Sequence, residues 1–129
     1  MRYQNMISEK DLEAFGYWKE QWKSKPIDLN SYQKAAEKTA IYAAQHAIIY
    51  PALGLAGEAG EVANKVKKMM RDKDFDKSGV KQELGDCLWY IAAMCRDLNV
   101  SMSDLAMANL EKLMDRKSRG TLKGNGDKR

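Results

Sequence analysis

The chain of 129 residues contains two prolines, two cysteines and one histidine, and each scarcity excludes something. With so little proline and few runs of β-branched residues, long helices meet no obstruction and no segment carries a convincing strand pattern. One histidine and two cysteines are too few for a zinc site. Cys87 and Cys95 stand eight apart on one helix-like stretch, about 12 Å along its axis, beyond the reach of a disulfide. They read as reduced core thiols. The longest apolar run covers residues 87–95, far short of the ~20 that cross a bilayer. The first ten residues are too polar for a signal peptide, so the expectation is a soluble, cytoplasmic protein without a membrane partner. Charge of one sign is missing too. Lys and Arg number 22 against 18 Asp and Glu, a net +4, which permits an anionic partner without requiring nucleic acid.

What remains suits one globular domain and is too short for a two-domain enzyme. Hydrophobic residues make up 44%, with eight Met, three Trp and six Tyr, enough for a substantial core. Ser8 and Asp11 form a capping pattern, followed by Leu12, Phe15, Trp18 and Trp22 at helical spacing up to Lys25-Pro26. Asp28 and Asn30 cap a second helix whose small-residue stripe, Tyr32, Ala35, Ala36, Thr39, Ala40 and Ala43, extends to about Ala47. Tyr50-Pro51 breaks the chain, and Pro51 suits the first turn of a helix reaching about Arg71 with an apolar stripe of Leu55, Ala59, Val62, Val66 and Met69. Residues 72–79 read as a turn, and a further helix covers about Val80 to Leu98. Its stretch 87–95 is apolar on every side, predicting a helix packed all round, in the core or at a subunit contact. Ser101 with Asp104, or Ser103 alone, caps a last helix to about Lys117, and Gly120, Gly124 and Gly126 mark a flexible tail. The expected fold is all-α: a four-helix core at residues 29–118, an N-terminal helical extension at 1–28, and a Gly-rich basic tail at 119–129.

Four acids stand out. Glu58 and Glu61 are three apart on one helix, Glu83 and Asp86 three apart on the next, so each pair shares a face and the two pairs can oppose one another across a hairpin. Only Glu61 has a lysine, Lys65, four residues on; the others have Val62, Cys87 and Tyr90 there. Gly54, Gly57, Gly60 and Gly85 each cost a helix about 1 kcal/mol relative to alanine, which close approach of two backbones would explain. Crowded carboxylates need a cation, and all-oxygen ligands favour Mg²⁺, or Mn²⁺, over zinc. Such a centre suits phosphate chemistry. Lys65 and Lys68 extend the acidic face, and Asn109, Lys112 and Arg116 share a face of the last helix. Tyr90, one turn beyond Asp86, is the better placed of Trp89 and Tyr90 to stack on a base; His46 is a lesser candidate for substrate contact.

The sequences Gly-Leu-Ala-Gly-Glu-Ala-Gly-Glu-Val from Gly54 to Val62, Glu-Leu-Gly-Asp from Glu83 to Asp86, and Asn-Leu-Glu-Lys-Leu from Asn109, followed by Arg116, resemble the MazG-like branch of the all-α nucleoside triphosphate pyrophosphohydrolases. The two acidic motifs, 21 residues apart, match the family arrangement. The short form and Gly-Asp-Lys-Arg tail look like bacteriophage versions. The resemblance implies hydrolysis of a nucleoside or deoxynucleoside triphosphate between its α and β phosphates, giving monophosphate and pyrophosphate. It implies Mg²⁺ held by Glu58, Glu61, Glu83 and Asp86, phosphate and sugar contacts from Lys65, Asn109, Lys112 and Arg116, and a homo-oligomer, dimer or tetramer. Many members carry a further Glu where this chain has Gly57. One acid is then expected to activate water, and Glu61 is assigned that role because Lys65 can hold its charge. Two other classes of reading are a basic nucleic-acid-binding module using Lys65, Lys67, Lys68, Arg71 and Lys73, and a non-catalytic oligomer that senses metal or nucleotide. The first leaves the opposed acids without a purpose.

Overall fold

Residues 25–129 and Glu20 are described by the computed structural model; the expected first helix, with Ser8, Leu12, Phe15, Trp18 and Trp22, lies outside them. The described residues form four α-helices and one short 3₁₀ turn: α1 (Leu29–Glu37), the turn (Ala44–His46), α2 (Ile49–Asp72), α3 (Lys77–Asp97) and α4 (Met102–Ser118). No strand interrupts them among the described residues. The all-α expectation is met.

Three of the four helices begin where a side chain supplies what the free backbone N–H groups need; α2, after Ile48, has no side-chain cap. Asp28 accepts from the Ser31 N–H at 2.8 Å at the head of α1. Pro51, in the first turn of α2, lacks only an N–H that has no helical partner there. The start of α4 is satisfied by three residues at once: Ser101 Oγ accepts from Asp104 N, Gln33 Oε1 from Met102 N and Asn30 Oδ1 from Ser103 N. Two of those acceptors come from α1, so the second and last parts of the core are fastened by polar bonds as well as by packing.

Two helix boundaries and the course of the tail differ from the sequence reading. First, α1 stops at Glu37, ten residues before the expected end near Ala47. The Thr39 hydroxyl donates to the Ala36 carbonyl and accepts from the Trp89 indole N–H, both at 2.7 Å, and this competes with helix continuation. Second, α3 starts at Lys77 instead of Val80, because the Asp76 carboxylate accepts from Gly79 N at 2.9 Å and draws residues 77–79 into the first turn. Third, the tail turns back on α4. Gly120, at φ 69, closes the helix with bonds from Gly120 N to Lys117 O and from Thr121 N to Arg116 O, a Schellman pattern.

The core joins α1, the C-terminal half of α3 and the start of α4: Ala36, Ala92, Cys95 and Met102, with Tyr32, Trp89 and Ile91 packed against them. Burial pushes the Cys95 thiol pKa up, as a structural thiol requires. Within one chain residues 87–95 are not packed all round, so the core alternative does not hold by itself and the subunit contact is the one that stays open. Ala92, Ala93 and Cys95 are buried, but Leu88 and, a turn earlier, Leu84 are exposed, because α1 and α2 together leave that side of α3 uncovered. Leu105, Leu110 and Met114 of α4 are also open. No helix among the described residues is long and apolar enough to cross a membrane.

Candidate metal and nucleotide site

The α2–α3 hairpin brings three of the four predicted acids together. Glu58, Glu83 and Asp86 each place a carboxylate oxygen within 4.8 Å of the others. Glu61, one turn along α2, is exposed and outside this group. The Glu58 carboxyl is held above the usual carboxylate range, first by loss of solvent, then by a hydrogen bond with Glu83 and the negative charges of Asp86, Glu83 and Glu61. Like charges at this separation favour protonation unless a cation joins them. Three converging oxygen donors with no sulfur or nitrogen among them suit Mg²⁺ or Mn²⁺.

Lys65 does not answer to Glu61, its helical neighbour. Its ammonium lies 3.4 Å from Glu83 Oε1 and 3.9 Å from Asp76 Oδ2, across the hairpin. The register of the two helices, set by the Asp76 cap, outweighs the i,i+4 rule here. Lys68 is exposed and close enough to Asp72 to help, after the Arg71 bond, hold that carboxyl below its usual value. Asn109 and Lys112 are exposed on α4, whose principal contacts are with α1 and α3. Arg116 is buried, its guanidinium donating to the Asp127 carbonyl at 2.9 Å. In this arrangement the tail engages it.

The expected approach of two backbones occurs at none of the four glycines. A Cβ on Gly54 would collide with the Tyr90 ring, so Gly54 makes room for an aromatic side chain, not for a backbone. Gly57, Gly60 and Gly85 face nothing within 4 Å. Trp89 belongs to the core, as its bond to Thr39 shows, and His46 is exposed in the 3₁₀ turn, its ring 3.4 Å from Gln45 Nε2.

Three residues that the sequence did not single out shape the end of the site nearest Tyr90. Tyr42 and Tyr50 stack with centroids 4.7 Å apart at 19°, Tyr50 and Tyr90 lie 6.4 Å apart, and Trp89 meets Tyr90 edge-on at 5.0 Å. Asp97 Oδ2 accepts from the Tyr42 hydroxyl at 2.7 Å and from Ile48 N at 2.9 Å, while Arg96 pairs with Oδ1. Burial alone would raise the Asp97 pKa, but the donors from Ile48, Tyr42 and Arg96 outweigh it and hold the carboxyl below its usual value. The same neighbourhood pushes the Tyr42 hydroxyl up to about 12, through burial and its bond to Asp97. Ile48 itself sits at φ 68, ψ −51, with Ile49 N bonded to Ala47 O at 2.7 Å. This is a γ-turn of positive φ, rare and strained for a branched residue. A signal for Asp97 was present: an acid in the last turn of a helix opposes the macrodipole, and calls for compensating donors.

A helical hairpin that gathers three carboxylates, with a lysine beside one of them, is a donor set of the kind that suits a divalent cation. Residues 50–120, more than half of the chain, match the MazG nucleotide pyrophosphohydrolase domain, and the chain belongs to that family. It is also 44% identical over 114 residues to the Gene 37 protein of Mycobacterium phage L5, covering 80% of this chain and 100% of the phage protein. That similarity agrees with the phage-type character expected from the short form. No solved structure matches the chain.

Proposed function

We propose that the protein hydrolyses a nucleoside or deoxynucleoside triphosphate to the monophosphate and pyrophosphate, using Mg²⁺ or Mn²⁺ held by Glu58, Glu83 and Asp86. The observation that carries this reading is the convergence of those three carboxylates within 4.8 Å on a chain of the MazG family. A cation bound there would screen the phosphate oxygens and make water a stronger nucleophile. Water oxygen attacks the α phosphorus, the bond from that phosphorus to the bridging oxygen breaks, and pyrophosphate leaves with the bridging oxygen. Glu61, exposed and one turn from Glu58, takes the water proton in this scheme, which suits a group outside the carboxylate trio. Lys65, already drawn to the acids, and Lys68 neutralise the outer phosphates.

Asn109 and Lys112 belong to this reading through a second copy of the chain. They point from a helix whose neighbouring residues Leu105, Leu110 and Met114 are exposed, so a dimer or tetramer would cover an apolar face and bring both polar residues to a neighbour's site. Arg116 joins them only if Asp127 releases it. Incubation with a nucleotide panel and Mg²⁺, with products identified, is the test. Pyrophosphate and monophosphate are expected. Orthophosphate with diphosphate, or no turnover of any triphosphate, rejects the proposal; salt-sensitive nucleic-acid binding unaffected by Glu83→Gln would favour the basic-module reading instead.

A further inference from the structure

Along α2 the chemistry changes in a fixed order. Tyr50, Gly54 and Glu58 follow one another at four-residue intervals, so they share one stripe of the helix. Tyr90 covers Gly54 from α3, Glu83 and Asp86 meet Glu58, and Lys65 then reaches Glu83 and Asp76. The stripe therefore reads aromatic, acidic, basic. Tyr50 and Glu58 are about 12 Å apart along the axis, while the Lys65 ammonium reaches back to 3.4 Å from Glu83 Oε1, so a phosphate chain held at the acids meets that charge while its base extends toward the tyrosines.

We propose that the substrate lies along α2 in that direction, with its base stacked on the outer face of Tyr50, its α and β phosphates at the acids and its terminal phosphate toward Lys65. The proposal rests on the hydrolase reading above and adds the orientation and the residue that takes the base. Tyr50 is the ring with a surface to offer. It is 45% exposed and stacks through one face on Tyr42. Tyr90, the candidate read from the sequence, is half-buried, wedged over Gly54 and closed at its edge by Trp89. Tyr42 is taken by Tyr50 on its ring and by Arg96, whose guanidinium carbon lies 5.0 Å from the ring centre. Tyr42 is in turn held by Asp97, so the platform under the base is fixed before the ligand arrives, and stacking on it needs little ordering at the moment of binding.

Stacking is tolerant of base identity because every base has a π-face. The orientation therefore predicts loss of affinity across purine and pyrimidine substrates alike when the ring is removed. The measurement compares wild type, Tyr50→Ala, Tyr50→Leu and Tyr50→Phe, using KM for a panel of triphosphates and the inhibition constant of inorganic tripolyphosphate, which has phosphates but no base. Tyr50→Ala and Tyr50→Leu are expected to raise KM about ten- to a hundredfold while tripolyphosphate inhibits as in wild type, and Tyr50→Phe is expected to behave as wild type. Tyr50→Leu keeps an apolar cover over Tyr42 and separates loss of the π-face from loss of packing. Unchanged KM in both non-aromatic variants, or equal weakening of tripolyphosphate, overturns the platform and leaves the hydrolase reading standing. Absence of triphosphate turnover in wild type overturns both.

Discussion

Two carboxylate environments at different points of one helical hairpin show what each is for. At the open end, Asp97 is surrounded by donors: the Ile48 N–H, the Tyr42 hydroxyl and the Arg96 guanidinium. In the middle, Glu58 is surrounded by other acids, and its nearest partners, Glu83 and Asp86, share its charge. The same functional group is met by donors in one place; in the other, Lys65 answers Glu83 and leaves Glu58 among like charges. The first arrangement stabilises the chain; the second costs stability until something positive arrives.

The sharpest way to break the comparison is at Asp97. Its side chain is 4% exposed, and Asp97→Ala would leave the Arg96 charge, the Tyr42 hydroxyl and the Ile48 N–H without their acceptor. A loss of about 3–5 kcal/mol is expected in urea unfolding; a loss below about 1 kcal/mol would show that the donors find water instead. Glu83→Gln and Asp86→Asn should do the reverse. Turnover is expected to fall more than about a hundredfold with circular dichroism unchanged, and stabilisation by Mg²⁺, about 2.7 kcal/mol at a hundred times Kd in wild type, should vanish. If both variants stay active, the acids have been misread.

Acidity separates the two carboxylates with opposite sign. Asp97 is depressed below its usual 3.8, so its contribution is present above that pH and is lost as pH falls through the depressed value. Glu58 is raised above its usual 4.5, so its contribution is present below that pH and is lost as pH rises through the raised value. Metal-free protein is therefore expected to lose stability on both flanks, and Glu58→Gln to flatten the upper one only. Urea midpoints from about pH 3 to about pH 8 decide; an upper flank unchanged in Glu58→Gln would assign it elsewhere. The smallest effects come from glycine. Gly54→Ala must displace the Tyr90 ring and is expected to cost about 1–3 kcal/mol. Gly60→Ala meets nothing within 4 Å and should gain about 1 kcal/mol in a monomer. A loss at Gly60, with a concentration-dependent midpoint, would place a second chain against that face.

How much of this could be read beforehand follows the range of each interaction. Caps are local, so Asp28 and Ser101 announced their helices, and Pro51 announced α2. The acids were legible because i,i+3 spacing fixes a shared face whatever surrounds it. What was not legible depended on distant residues. The early end of α1 needed Trp89, fifty positions away, to engage Thr39. The pairing of Lys65 with Glu83 instead of Glu61 needed the register of the hairpin. The space at Gly57, Gly60 and Gly85 needed knowledge of which faces a neighbour leaves open. The aromatic shelf was not legible beyond Tyr90, since it depends on the stacking of Tyr42 on Tyr50 beside the turn at Ile48.

The clasp between Tyr42 and Asp97, whose partners are 55 positions apart, also bears on kinetics. The hairpin can zip from the Asp76 cap through short-range contacts, whereas the clasp must close a long loop around a strained Ile48, and so is expected to form after the main barrier. Weakening it should then accelerate unfolding and leave the refolding limb of a chevron plot nearly unmoved, which would make Asp97 a control on how long the molecule survives once folded more than on how quickly it gets there.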